Sequence, residues 1–383
     1  MAPDGNGSRP PHRPCHPAPP APSVPPHRPR HPHRSIVPTR LLDRLGPTLP
    51  VLAAPMAGGS GTPELVVAAA RAGSLGFLAG GYRTPEALAA QIEAVRDTGV
   101  VFGVNLFAPP PVPVDPRAYR AYADALAPEA ERRGTALPDG PPVEDDDRWR
   151  EKTELLLARP VPVVSFTFGL PGVELVEALR GAGTVVLQSV TSPEEALRAA
   201  DQGVDGLVVQ AAAAGGHSAT LTPERPPADV PLPELVDAVR RSVPLPLIAA
   251  GGVADARDAA AAVRAGAEAV SVGTLLLRTH ESGASGPHRD ALTDPAFTGT
   301  VLTTAFTGRP ARALRNRFTD LYGPSAPLGY PALHHLTAPL RKAATEAGDT
   351  SMIHLWAGAG HRRARVEPAA DTLRRLAADL PVR

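Results

Sequence analysis

The feature that most constrains the fold is a regular alternation of short apolar runs with helical patterns, which occurs eight times. The apolar runs are the predicted strands, and they lie at residues 51–56, 74–80, 100–107, 161–169, 184–190, 206–210, 245–250 and 269–277. Strands that alternate with helices favour a parallel sheet made of βαβ units. Eight such units predict an α/β protein of the (β/α)8 TIM-barrel class.

Three of the predicted helices begin with the same chemistry. The segments are Thr62-Pro63-Glu64, Thr84-Pro85-Glu86 and Ser192-Pro193-Glu194. Each supplies a hydroxyl that accepts from a free backbone N–H, a proline at the first helical position, and an acid near the positive end of the helix dipole. These segments therefore predict where the three helices begin.

Two stretches interrupt the barrel pattern. Residues 108–148 begin with a proline cluster and include the acidic run 144–147, which indicates an elaborated loop after the third strand. Residues 278–360 contain short helical patterns separated by Gly and Pro, and we interpret them as a small helical substrate domain inserted before the last barrel helix. The barrel itself is expected at 35–277, with its last helix in 361–383.

The first 34 residues are rich in Pro, His and Arg, with Asp4 as their single acid. Such a composition cannot bury apolar surface, so residues 1–34 are predicted to be a disordered tail. Metal binding, contact with anions, a targeting role and an upstream start codon are alternative explanations. The prolines oppose the amphipathic helix of a transit peptide, and no apolar segment for secretion is present.

Charge and cysteine content exclude several classes of protein. The 383 residues carry a formal net charge of +0 and are 43% hydrophobic, so we expect a large core, and neither nucleic acid nor a membrane surface as a partner. No apolar run is long enough for a transmembrane helix. The single cysteine, Cys15, excludes a disulfide within the chain and a cysteine-based metal site, which agrees with a cytoplasmic location.

The candidate active site lies at the carboxyl ends of the predicted strands, where barrel enzymes place theirs. The residues at these ends are Pro55, Met56, Ala57, Asn105, Gln188, Gln210, Gly215, Gly216, Gly251, Gly252, Gly273 and Thr274. Glycines and amides dominate, and charges are nearly absent. This composition suits a neutral aromatic ring system that needs close backbone approach and a few hydrogen bonds, so we expect a flavin ring here.

The loops after the seventh and eighth predicted strands are candidates for a phosphate site. They contain Ala249-Ala250-Gly251-Gly252-Val253 and Ser271-Val272-Gly273-Thr274. Glycine amides and a threonine hydroxyl can hold a monophosphate without a lysine. The alternative is that these glycines only end the strands.

His217 is the candidate catalytic residue. It follows the sixth strand and two glycines, and no helical or strand periodicity accounts for it. A histidine in such a place can take a proton near neutral pH, although a lone histidine is more often an ordinary core or surface residue. No metal site is expected, because the ordered histidines show no metal-ligand spacing; they are His280, His288, His334, His335, His354 and His361. Neither a serine-centred nucleophile elbow nor a Walker loop is present.

Seven segments together resemble the bacterial nitronate monooxygenases of class I, formerly called 2-nitropropane dioxygenases. In chain order they are Ala54–Gly58, Gly103–Phe107, Gln210–His217, Ala249–Gly252, Val272–Thr274, Phe306–Arg309 and Leu355–Gly358. The resemblance runs from Leu49 to the carboxyl terminus. It implies an FMN-binding barrel that oxidises alkyl nitronates with O2, through one-electron flavin chemistry, to a carbonyl compound and nitrite.

The resemblance also implies roles for individual residues. Contacts with FMN are implied for Asn105, Gln210, Gly215, Gly252 and the run 271–274, and a flavin-lining position for Pro55, Met56 and Ala57. His217 matches the catalytic histidine, which removes the α-proton of a neutral nitroalkane or orients the anionic nitronate. Trp356 is expected near the mouth of the site.

The chain departs from the family motif at several positions. The motif Gln-Gly-x-Glu-Ala-Gly-Gly-His-Arg-Gly has Ala211, Ala213, Ser218 and Ala219 in place of the first glycine, the acid, the arginine and the last glycine, and Ser271 stands where Gln is common. These differences bear on the substrate more than on the flavin. Two other functions therefore stay open: an FMN-dependent enoyl-thioester reductase that uses NAD(P)H, and a flavin-binding protein without turnover. Monomer and homodimer are both open.

Overall fold

A closed barrel of parallel strands forms the centre of the fold. The computed structural model describes residues 41–109 and 113–380, so the predicted tail at 1–34 lies outside the described residues. The strands are β1 (Val51–Ala53), β2 (Gly76–Ala79), β3 (Phe102–Ala108), β4 (Val163–Phe168), β5 (Val185–Val190), β6 (Gly206–Gln210), β7 (Gly216–His217), β8 (Leu247–Ala250), β9 (Ala269–Val272), β10 (Thr300–Thr303) and β11 (Ala311–Leu314). The barrel order is β1-β2-β3-β4-β5-β6-β8-β9, and β9 pairs with β1. The predicted (β/α)8 TIM barrel is confirmed.

Helices surround the barrel. They are α1 (Leu41–Leu45), α2 (Pro63–Arg71), α3 (Pro85–Arg96), α4 (Pro116–Arg132), α5 (Trp149–Ala158), α6 (Val173–Gly181), α7 (Pro193–Ala200), α8 (Leu232–Ser242), α9 (Ala256–Arg264), α10 (Gly286–Ala291), α11 (Arg317–Tyr322), α12 (Ala332–Glu346) and α13 (Ala369–Leu376). The hydroxyls of Thr62, Thr84 and Ser192 accept from the N–H three residues later, at 3.0 to 3.2 Å. These helices therefore begin where the sequence predicts. Among the described residues, no helix has the length and apolar character needed to cross a membrane.

Two barrel strands end three or more residues before their predicted ends. β1 ends at Ala53, shortly before Pro55, which has no N–H to continue a strand pairing. β9 ends at Val272, and the apolar residues that follow form a 3-10 turn at Thr274–Leu276. A short apolar run does not distinguish a strand from a buried helical turn, which explains why the eighth strand was predicted to extend to residue 277.

Helix α1 closes the amino-terminal end of the barrel. Its three leucines are buried and pack against an apolar barrel interior, formed by Leu52, Leu75, Phe77, Val163, Val185, Leu187, Ile248 and Ala269. Burial of one leucine side chain stabilises a fold by about 1.5–3 kcal/mol. The half of the barrel at the amino-terminal ends of its strands is thus a packed core. The polar groups inside the barrel lie towards the carboxyl ends of the strands.

Helices α4 and α5 fill the elaborated loop between β3 and β4. Helix α4 begins at a cap in which Asp115 accepts from the N–H of Arg117 at 2.7 Å. Within the loop, the buried side chain of Lys152 pairs with Asp147 at 2.8 Å. Asp147 also accepts from the N–H of Tyr82, just after β2, at 3.0 Å.

The segment 278–360 contains a β-hairpin as well as helices. β10 and β11 pair in antiparallel fashion, and β11 also pairs with β7, with Ala311 opposite His217 and Arg312 opposite Gly216. The helices of this segment are α10, α11 and α12. The hairpin was not anticipated, because four-residue strands are too short for periodicity to indicate them. It delivers a part of the insert directly to the predicted catalytic residue.

Candidate active site

A cavity of about 570 Å³ lies at the carboxyl ends of the barrel strands. This volume is in the range of cofactor and small-ligand sites in proteins. The predicted site residues that line it are Pro55, Met56, Ala57, Asn105, Gln210, Gly215, Gly216, His217, Gly251, Gly252, Ser271, Val272, Gly273 and Thr274. Trp356 lines it too. The structure therefore brings together the predicted site residues with one exception, Gln188.

Gln188 lies outside the cavity wall. Its side chain is fully buried, and its Nε2 donates to the carbonyl oxygens of Gly169 at 3.2 Å and Ser189 at 3.1 Å. Neighbouring side chains of a strand point to opposite sides, so Leu187 and Ser189 face the barrel interior while Gln188 faces the helices. A place at the end of a strand is thus not enough to put a residue in the site.

Asn105 belongs to the floor of the cavity, and two hydroxyls orient its amide. Ser165 Oγ and Thr167 Oγ1 donate to Asn105 Oδ1 at 2.8 and 3.0 Å. Its Nδ2 has no acceptor among residues 41–109 and 113–380. Because Oδ1 already accepts two hydrogen bonds, Nδ2 is available to donate to a ligand in the cavity. A fixed donor of this kind suits a carbonyl or ring nitrogen of a flat heterocycle.

Glycine loops form one end of the cavity. Gly251 and Gly252 have φ values of +96° and +81°, which glycine adopts readily and other residues do not. A Cβ on Gly251 would lie 2.8 Å from the carbonyl oxygen of Ala211, so close packing also requires glycine. The N–H groups of Gly252 and Thr274 donate to no acceptor within the described part of the chain. Unpaired N–H groups near a threonine hydroxyl suit an anionic group such as phosphate.

Gln210 holds the segment that carries His217. Its Nε2 donates to the carbonyl oxygen of His217 at 3.2 Å, and its Oε1 accepts from the N–H of Ala219 at 2.7 Å. From the other side, the N–H of Ser218 donates to the carbonyl oxygen of Pro310 at 2.8 Å. The backbone of His217 is therefore fixed by the barrel on one side and by the inserted hairpin on the other.

The imidazole of His217 lies among aromatic rings at the cavity wall. The rings of Trp356, Phe168 and Tyr330 lie at 5.2, 5.6 and 5.7 Å from it, centroid to centroid. Its Nε2 is 2.9 Å from the Oγ1 of Thr307. These neighbours leave the ring little freedom to rotate.

Two buried arginines make the surroundings of His217 positive. Arg341 lines the cavity, with its Nε donating to Thr337 Oγ1 at 3.0 Å and an Nη donating to the carbonyl oxygen of His334 at 2.8 Å. The guanidinium of Arg309 lies 4.0 Å from the centroid of the Phe168 ring. Neither arginine forms an ion pair within the described residues, and no residue lining the cavity is acidic.

The charge states follow from this arrangement. Burial lowers the pKa of His217 to about 3, and the positive charges of Arg309 and Arg341 act in the same direction. Burial also lowers the pKa of each arginine to about 10, which leaves both protonated at neutral pH. The cavity therefore combines a neutral imidazole with an uncompensated positive charge.

Two lining residues that the sequence analysis missed have unusual backbone conformations. Tyr82 has a φ of +63° and Phe168 a φ of +84°, which strains the backbone of an aromatic residue. Tyr82 comes shortly after β2, and Phe168 is the last residue of β4. Their position at strand ends is a signal that could have identified them.

The insert contributes further lining residues for which the sequence carries no such signal. They are His288, Thr307, His334, Arg341 and His354. The histidines form no group of three that could hold a metal ion among the described residues. They line the cavity because the insert folds over the barrel mouth, and single-sequence patterns do not reveal this contact.

Comparisons with known proteins agree with this geometry. The family profile described as nitronate monooxygenase matches residues 40–379. The chain belongs to the nitronate monooxygenase family. Curated proteins from several strains of Staphylococcus aureus, each described as a probable nitronate monooxygenase, are 35% identical over 343 residues, which is 86% of this chain and 94% of the relative.

Solved structures show the same barrel. A nitroalkane oxidase from Streptomyces ansochromogenes is similar to this nitronate monooxygenase family member with a TM-score of 0.82 and 48% identity, covering 88% of this chain and 96% of that one. FabK from Thermotoga maritima is similar with a TM-score of 0.68 and 27% identity, covering 89% and 95%. The resemblance found in the sequence is thus confirmed.

The structure also describes the surroundings of the positions that depart from the nitronate monooxygenase motif. Ser218 is buried, and its carbonyl oxygen accepts from the Nε of Arg309 at 3.2 Å. A guanidinium therefore lies beside residue 218 although the residue itself is neutral. Ala213 is next to the glycine loop, since a Cβ on Gly252 would lie 3.2 Å from the Cβ of Ala213.

Proposed function

We propose that the protein oxidises nitronates with O2 to a carbonyl compound and nitrite, and that it uses FMN to do so. Membership of the nitronate monooxygenase family supports the reaction class. The similar Streptomyces protein, described as a nitroalkane oxidase, supports a nitro compound or its anion as substrate.

The observation that carries the proposal is the charge of the cavity. Its lining includes Arg341 and no acidic residue, and His217 is neutral at physiological pH. An uncompensated buried cation favours an anionic ligand. The nitronate is an anion, whereas the parent nitroalkane is neutral. A base whose pKa is about 3 is also poorly matched to removing a carbon-bound proton at neutral pH. We therefore assign the preformed nitronate as the substrate, and His217 as the residue that orients it.

The residues present fit FMN. The Nδ2 of Asn105 and the residues at the strand ends suit the flavin ring, and the N–H groups of Gly252 and Thr274 suit the phosphate. When bound, FMN supplies the redox centre that accepts electrons from the substrate and is reoxidised by O2. Gln210 keeps His217 at the edge of this site, and Trp356 and Phe168 pack against its imidazole.

The proposal is tested by the absorbance spectrum of the purified protein and by O2 consumption with propyl-2-nitronate. We expect a flavin spectrum, identification of FMN after denaturation, and anaerobic bleaching of the flavin by the nitronate. The variant His217→Asn should retain FMN and lose roughly 10- to 100-fold in activity on the nitronate, as for one lost hydrogen bond to a charged group. A flavin that no nitronate reduces would contradict the proposal.

Two alternatives are separated by the same samples. Rapid anaerobic bleaching by NADH or NADPH alone would favour an enoyl-thioester reductase. Retention of FMN without reduction by a nitronate or a nicotinamide would favour a flavin-binding protein without turnover.

A further inference from the structure

Thr307 is the polar residue closest to the imidazole of His217. Its Oγ1 lies 2.9 Å from the Nε2, and its side chain is only 1% exposed. The threonine belongs to a tight turn between β10 and β11, in which the N–H of Gly308 donates to the carbonyl oxygen of Thr304 at 2.8 Å. The position of the hydroxyl is therefore set by the hairpin that also pairs with His217.

The hydroxyl of Thr307 has one proton and two acceptors within reach. The Nε2 of His217 is at 2.9 Å, and the carbonyl oxygen of Arg309 is at 3.4 Å. The 2.9 Å distance fits a bond in either direction, and a hydroxyl that donates to Nε2 gives up only the longer contact with Arg309. This direction is also the one that leaves a donor for an anion on the other ring nitrogen. A neutral imidazole that accepts at Nε2 carries its proton on Nδ1.

The second ring nitrogen of His217, Nδ1, is available to a ligand in the cavity. Nδ1 is bonded to no described residue and is not sealed in the interior. An N–H group there is a donor, and a donor complements the oxygen of an anion. The opposite tautomer would present a lone pair to the same anion, which is repulsive.

We propose that Thr307 is a positioning residue that holds His217 as its Nδ1–H tautomer, so that the neutral ring donates a hydrogen bond to an oxygen of the bound nitronate. This inference rests on the proposed function for its substrate and on the geometry around His217 for its tautomer. The aromatic neighbours Phe168, Tyr330 and Trp356 assist, because they restrict rotation of the ring.

The tautomer is tested by nitrogen NMR of the full chain labelled with 15N-histidine. The signals of His217 are assigned by their loss in His217→Asn. We expect a protonated Nδ1 and an unprotonated Nε2 in the wild type and in Thr307→Ser, and a changed tautomer ratio in Thr307→Val. A protonated Nε2 in the wild type would overturn the proposal.

The kinetic test uses the FMN-loaded enzyme. Thr307→Val removes the hydroxyl that selects the Nδ1–H tautomer of His217. Loss of the hydrogen bond from the ring to the anionic substrate should then raise KM for propyl-2-nitronate by up to roughly 10- to 100-fold. Thr307→Ser should recover most of the loss. The matched control is Thr304→Val, in the same turn, because Thr304 bonds to the carbonyl oxygen of Ala326 and does not line the cavity.

The two proposals fail in different ways. An unchanged KM in Thr307→Val would refute the role of Thr307 while nitronate oxidation stands. An absence of flavin reduction by nitronates would refute the proposed function, and the NMR measurement would still decide the tautomer.

Discussion

The side-chain amide of Gln210 binds the main chain at His217 and again two residues later, at Ala219. Its Nε2 donates to the carbonyl oxygen of His217 at 3.2 Å, and its Oε1 accepts from the N–H of Ala219 at 2.7 Å. One amide at the end of β6 thus fixes the chain that carries the central residue of the site. Gln210, which is expected to contact the cofactor, therefore also holds the backbone of His217 in position.

Replacement of Gln210 should loosen this chain. Gln210→Leu removes both hydrogen bonds and leaves a buried carbonyl and N–H unpaired, at a cost of about 1–3 kcal/mol each. We expect faster amide exchange over residues 215–221 and a loss of activity on the order of 10-fold or more. The matched control is Gln188→Leu, which replaces an amide of the neighbouring strand β5 outside the cavity and should lower stability without changing kcat/KM. Equal activity losses in the two variants would contradict this role.

Removal of the Asn105 amide should weaken FMN binding. The Nδ2 of Asn105 lacks an acceptor among the described residues, so we expect Asn105→Leu to lower the affinity of the apoprotein for FMN by roughly 10-fold, as for one lost hydrogen bond. Ser165→Ala removes one of the two donors that orient the amide, and its effect should be smaller. Fluorescence titration with FMN measures both. An unaltered affinity in Asn105→Leu would mean that the amide does not face the cofactor.

Loss of the Arg341 charge should weaken binding of the anionic substrate. We expect Arg341→Met to raise KM for propyl-2-nitronate by roughly 10- to 100-fold, and Arg341→Lys to have a smaller effect because the charge is kept while the fork geometry is lost. Arg315→Met is the control, since Arg315 pairs with Asp320 at an exposed site of the same insert. If the control raises KM as much as Arg341→Met does, the charge of the cavity is not the cause.

The buried histidines should make the fold sensitive to acid. Burial lowers the pKa of His217 to about 3 and that of His334 to about 2, and it lowers the pKa of His288 and His354 as well. The unfolded chain binds these protons near pH 6.5, before the folded chain does. Stability is therefore complete above about pH 6.5 and falls as the pH drops towards 3, by about 1.4 kcal/mol per pH unit for each such histidine.

Urea unfolding at pH 7.5 and pH 5.5 measures this effect. We expect a lower midpoint at pH 5.5, a smaller difference in His288→Gln, and an unaltered difference in the control His280→Gln, whose side chain is exposed. A midpoint that does not depend on pH would show that these histidines bind protons equally in the folded and in the unfolded chain between pH 7.5 and pH 5.5.

Local patterns were sufficient to predict the barrel. The capping segments at Thr62, Thr84 and Ser192 and the apolar strand runs are properties of neighbouring residues, and the structure agrees with them. Strand ends were less certain, because proline at 55 and the 3-10 turn at Thr274–Leu276 shorten two strands in ways that apolar content does not indicate.

Long-range contacts explain what sequence reasoning missed. Thr307 and Arg341 reach the site because the insert folds back over the barrel, and no periodicity of the chain encodes that contact. Gln188 was expected in the site because it lies near a strand end, but the alternation of side chains along β5 turns it towards the helices. A residue near a strand end can be assigned to the active site only when the side of the strand that it faces is also known.

The pairing of β7 with β11 makes the surroundings of His217 depend on residues that are synthesised after the barrel strands. All eight barrel strands have left the ribosome once Val272, the last residue of β9, has emerged from it. At that point His217 still lacks its strand partner Ala311 and its neighbour Trp356. Contacts so distant in sequence form late, because a long loop must close before they stabilise anything. A chain truncated before β11 can therefore contain every barrel strand and still lack the contacts that hold His217 in place.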